Sequence, residues 1–89
     1  MTDVILGIIG SGQLGSMLCQ AAKKLNVKTM VFSDDKMGPA QNYSDYFIFS
    51  DYDDKEKINE FISKVDIVTY EFENIPVETL KYINKEKKV

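Results

Sequence analysis

Two stretches of this chain carry residues whose types and spacing suit chemistry. The first is Gly10-Ser11-Gly12-Gln13-Leu14-Gly15, directly after the apolar run Val4-Ile5-Leu6-Gly7-Ile8-Ile9. A glycine turn between a strand and a helix exposes the N–H groups of the helix start above the strand's carboxyl end, where an anionic or polar ligand can be held. Gly10 is expected to permit the tight turn and Gly15 to permit close helix–strand packing. Gly12 is expected to let backbone approach a bound group, where a β-branched side chain would fill the space and resist positive φ. The second stretch is Glu71-Phe72-Glu73-Asn74-Ile75-Pro76, after the apolar run Ile67-Val68-Thr69-Tyr70. In extended backbone Glu71 and Glu73 point one way and Phe72 the other. Two acids on one rim suit an amine or sugar hydroxyls.

Other groups invite blander readings. Ser50-Asp51-Tyr52-Asp53-Asp54 packs three acids into a turn; a hard cation would suit them, but a capping box of Asp53 with Glu56 is the stronger reading. The chain has no histidine, so the commonest general base and metal ligand is missing. Cys19, the only cysteine, is read as a packed thiol that suits a reducing compartment. There is no arginine, and the net charge is −3. Both argue against a nucleic-acid surface, and a phosphate held here would need backbone N–H groups, hydroxyls or lysines. The apolar run at the start is too short for a signal or a membrane span, so cytoplasm is the expected location.

The elements that must position these residues follow from periodicity. A first helix over about 13–25 carries Leu14, Met17, Leu18, Ala21, Ala22 and Leu25 on what reads as one apolar face, with Asn26 in a left-handed closing position. Lys28–Ser33 is a second strand. Gly38-Pro39 then cuts the next connection to a very short helix before a third strand, Tyr46–Phe49. A helix over about 54–64 buries Ile58, Phe61 and Ile62, and Ile67–Tyr70 is a fourth strand. A last helix opens at Pro76 with Val77, Leu80 and Ile83 inward. These 89 residues make one α/β domain, Rossmann-like, with a four-stranded parallel sheet ordered 3-2-1-4 and helices on both faces.

Taken together, the glycine motif with Met17-Leu18, Asp51-Tyr52-Asp53-Asp54 and Tyr70-Glu71-Phe72-Glu73-Asn74-Ile75-Pro76 resemble the N-terminal, pre-ATP-grasp domain of the N5-carboxyaminoimidazole ribonucleotide synthetase family. The resemblance covers essentially all of residues 1–89. It implies a cytoplasmic, homodimeric carbon–nitrogen ligase of purine biosynthesis that uses ATP, magnesium and bicarbonate to carboxylate 5-aminoimidazole ribonucleotide (AIR). It also implies that Gly12, Gln13, Leu14, Glu73 and Asn74 contact AIR, with Glu73 nearest its amine. No catalytic residue and no metal ligand is assigned within 1–89. Members usually carry glycine where Ser11 stands and often arginine where Ser16 stands. The family's chains are about four times longer, so these residues read as its N-terminal part, with the ATP-grasp and C-terminal domains outside them and no turnover expected from 1–89 alone. The rival reading is a dinucleotide-binding module of an oxidoreductase or nucleotide sensor: Asp34 and Asp35 lie about 20 residues past the glycine turn, where an acid can meet a ribose. The short Gly38-Pro39 crossover and the acids at 71 and 73 oppose it.

Overall fold

The computed structural model describes residues 4–35, 37–70 and 76–86. Its elements are β1 (Ile5–Ile9), α1 (Gln13–Lys24), β2 (Lys28–Ser33), a 3₁₀ turn (Pro39–Asn42), β3 (Tyr46–Phe49), α2 (Lys55–Lys64), β4 (Ile67–Tyr70) and α3 (Val77–Glu86). The sheet order is β3-β2-β1-β4, with all three pairings parallel. Apolar runs with little alternation form these strands because a parallel sheet is covered on both faces.

Successive residues feed opposite layers. Ile8 and Val31 pack with Cys19 of α1 and Ala40 of the 3₁₀ turn, flanked by Leu6, Leu18 and Phe47. On the other face Ile9, Met30, Phe32, Ile48 and Val68 meet Ile58, Phe61 and Ile62 of α2 and Ile83 of α3. Phe32 anchors that layer, edge-on to Phe61 at 5.6 Å between ring centres and tilted against Tyr52 at 5.9 Å. The amino edge of the sheet is closed by a repeated device. Asp66, just before β4, accepts from the Ile5 N–H at 2.8 Å, and Asp45, just before β3, accepts from the Thr29 N–H at 2.9 Å.

Two helix faces differ from expectation. α1 buries Gly15, Ser16, Cys19 and Ala22, whereas Leu14 is 46% exposed, Met17 56% and Leu25 74%. Small side chains let α1 sit close to the sheet, and that turns the larger apolar residues outward. Val77 of α3 is likewise 63% exposed. α3 is set instead by Ile83 and by buried Thr79, whose hydroxyl donates to the Tyr52 carbonyl at 2.7 Å. Asn26 does close α1 at φ 60°.

Gly7, in the middle of β1, is required by packing. A Cβ there would lie 2.6 Å from Phe61 Cζ and 3.0 Å from Val65 Cγ1. Phe61 is fully buried, so its ring has little room to give way. Gly7→Ala should therefore destabilise the domain by about 1–3 kcal/mol, seen as a lower midpoint in urea unfolding with an unchanged slope. An unaltered midpoint would show that the Phe61 slot is slack.

Candidate functional site

β1 and β4 are neighbours, and their last residues, Ile9 and Tyr70, are in register. β1 is also where the strand order reverses, since the chain runs from β1 out to β2 and β3 and returns to β4 on the other side. In open parallel sheets such a switch point leaves a crevice at the strand carboxyl ends. The glycine turn lies there. Gly10 takes φ 108°, a conformation that favours glycine, and its N–H donates to the Phe32 carbonyl at 2.9 Å. Gly12 is the N-cap of α1 at φ −76°, ψ −161°, and its carbonyl accepts the first helical bond from the Ser16 N–H at 3.0 Å. The left-handed residue of the turn is thus Gly10, and Gly12 sits in backbone open to any residue. What Gly12 contributes is the absence of a side chain. Gly12 offers α1 no side-chain cap, and none of the helix's own first-turn residues is acidic. Gln13 and Leu14 are exposed at that end.

Ser11 points the other way and is 1% exposed. Its hydroxyl lies 2.8 Å from the Ser33 hydroxyl and 3.0 Å from the Asp35 carbonyl, while its own carbonyl accepts from the Ala40 N–H at 3.0 Å. Gly38 packs directly on it: a Cβ there would fall 2.4 Å from the Ser11 carbonyl oxygen and closer still to its hydroxyl. Nothing in sequence marked Ser11 as inward-facing, and Gly38 reads there only as a breaker. Asp35, one of the acids that a dinucleotide reading gives to a ribose, accepts from the Met37 N–H at 2.9 Å and so closes its own turn. Asp34 is exposed.

The acidic turn after β3 resolves into a helix start. The N-cap of α2 is Asp54, one residue later than the expected Asp53, and it accepts from the Lys57 N–H at 3.2 Å. Asp54 also accepts from the Ser50 hydroxyl at 2.7 Å, which positions its carboxylate over the helix end and decides between the two adjacent acids. The Ser50 hydroxyl first, then the Lys57 N–H, hold its pKa below the ordinary value. A small cleft of about 90 Å³ lies between α2 and α3, lined in part by Tyr52, Ile58, Thr79 and Tyr82, and takes no residue from the glycine turn.

The ribonucleotide synthetase preATP-grasp domain family matches residues 1–89. The chain belongs to that family. This preATP-grasp domain is 42% identical over 80 residues to an N5-carboxyaminoimidazole ribonucleotide synthase of Staphylococcus epidermidis, a match that covers 90% of this chain and 21% of that protein. Among solved structures it resembles N5-carboxyaminoimidazole synthetase from Staphylococcus aureus in complex with ADP, with a TM-score of 0.88 and 38% identity over 96% of this chain and 23% of that one. It also resembles the Aspergillus clavatus N5-carboxyaminoimidazole synthase in complex with ADP and AIR, with a TM-score of 0.80 and 28% identity over 97% of this chain and 23% of that one. The chain thus spans about a fifth of the length of these relatives.

Of the residues singled out in sequence, Gly12, Gln13 and Leu14 stand together at the start of α1, just past the end of β1, the strand that pairs with β4. Glu73 and Asn74, with Glu71, lie outside the described residues. Among the described residues no helix is long and apolar enough to cross a membrane.

Asp54 makes the stability of this preATP-grasp domain depend on acid. Its folded-state pKa lies below 3.8, so its contribution is present in full above that unfolded value and is lost as pH falls through the folded one. Asp54→Ala should lower the melting temperature at neutral pH, and the gap from the unsubstituted domain should narrow as pH drops below about 4. Melting curves across pH 2–7 measure this, and a pH-independent gap would remove the carboxylate from the account.

Proposed function

We propose that this domain supplies the AIR-facing wall of an N5-carboxyaminoimidazole ribonucleotide synthetase, a carbon–nitrogen ligase of purine biosynthesis. The observation that carries the reading is the placement of the glycine turn at the β1–β4 switch point, in a fold shared with a neighbour that holds AIR and ADP. In this reaction bicarbonate attacks the γ-phosphoryl group of ATP to give carboxyphosphate and ADP. The AIR amine then attacks the carboxyl carbon, or the carbon dioxide released from it. Phosphate departs and the amine gives up a proton.

Within this scheme residues 1–89 bind and orient; they do not transfer phosphate. Gly12 gives AIR access to backbone, and Gln13 and Leu14 contact it from the first turn of α1, whose positive end suits an electron-rich or anionic group. Glu73, helped by Asn74, accepts a hydrogen bond from the AIR amine and turns it toward the incoming carboxyl group. ATP, bicarbonate and magnesium are held by ATP-grasp lobes that lie outside 1–89, where magnesium neutralises phosphate charge. The working assembly is a homodimer in the cytoplasm.

The test is Glu73→Gln in the complete enzyme. A charge-assisted hydrogen bond contributes about 1.5–3 kcal/mol, so kcat/KM for AIR should fall about 10- to 150-fold while the KM for ATP stays nearly unchanged. Glu71→Gln should cost far less. Normal AIR kinetics in Glu73→Gln, or greater damage in the Glu71 variant, would remove Glu73 from this role.

A further inference from the structure

β2 and the segment after it fasten the glycine turn from outside. Ser11 and Ser33 are 1% and 0% exposed, and their hydroxyls sit 2.8 Å apart although 22 positions separate them in sequence. The direction of the bond follows from the neighbours. The Asp35 carbonyl, 3.0 Å from Ser11 Oγ, can only accept, so the single Ser11 proton goes there. The Asp35 N–H occupies Ser33 Oγ as an acceptor at 3.0 Å, and the Ser33 proton is left to donate to Ser11 Oγ. Each hydroxyl spends its one proton, and no buried side-chain polar atom among the described residues lacks a partner. Beside this relay, the Gly10 N–H is tied to Phe32 and the Ser11 carbonyl to Ala40. The residues on either side of Ser33 thus fasten both Gly10 and Ser11, the two residues directly before Gly12.

We propose that Ser33 is a positioning residue for AIR: through Ser11 it fixes where Gly12, Gln13 and Leu14 present themselves, without touching the ligand. This rests on the AIR reading above. Removing its hydroxyl leaves the buried Ser11 Oγ without its donor and the part-buried Asp35 N–H without its acceptor. The turn then shifts to recover those bonds, and the contacts it offers the ligand shift with it.

The experiment is steady-state kinetics of the complete enzyme carrying Ser33→Ala, Ser11→Ala or both, with AIR and ATP varied separately. Displaced binding groups should raise the KM for AIR by about 5- to 30-fold in each single variant, with the KM for ATP within about twofold. The double variant should be no worse than the worse single, because both remove one connection. If Ser33→Ala does not fold, Ser11→Ala carries the same expectation, since it cuts the relay from the other side. A folded variant with an unchanged KM for AIR, or one in which the constants for AIR and ATP rise together, would overturn the positioning role while leaving the AIR reading intact. An unsubstituted enzyme with no AIR-dependent ADP release would overturn both.

Discussion

The parallel pairing of β1 with β2 on one side and β4 on the other is the constraint on which the rest of this domain depends. A central parallel strand is covered on both faces, so β1 has to serve two cores at once. Ile8 faces α1 and Ile9 faces α2, both fully buried. Gly7 is the concession that makes this possible, since the Phe61 ring occupies the space of its missing side chain. With β1 fixed in this way, its carboxyl end has one position, and the turn that leaves it is delivered beside the end of β4.

The two edges of the sheet are finished with different chemistry. At the amino edge the carboxylates of Asp45 and Asp66 take backbone N–H groups of the neighbouring strand starts. At the carboxyl edge hydroxyls join in: Ser11 pairs with Ser33, and Ser50 donates to the Asp54 carboxylate. The first turn of α1 holds no acid of its own, so the helix adds no carboxylate beside its positive end.

Much of this was legible in the sequence because strands buried on both faces read as unbroken apolar runs. The four strands, their order and the layers on both faces follow from those runs and from the glycine turn between β1 and α1. The face of α1 was not legible. Leu14, Met17 and Leu25 repeat with a helical period, yet Gly15, Cys19 and Ala22 repeat with one too, and close approach to the sheet selects the smaller set. The cap of α2 moved from Asp53 to Asp54 because the Ser50 hydroxyl favours the latter, a preference that only a folded turn reveals. Ser11 was unreadable for a related reason: its partners lie 22 and 24 positions away. Gly12, Gln13 and Leu14 are brought to the switch point, while Glu73 and Asn74 fall outside the described residues.

The most direct test of the claim that AIR meets this domain at the glycine turn is an NMR titration. Amide signals of isotopically labelled protein are followed as AIR is added, and then in parallel with NAD. The account predicts AIR-dependent shifts concentrated at Gly10–Gly15 and at Glu73 and Asn74, with the amides of α2 undisturbed and no matching response to NAD. Shifts confined to the cleft between α2 and α3, or a glycine-turn response to NAD in place of AIR, would contradict it.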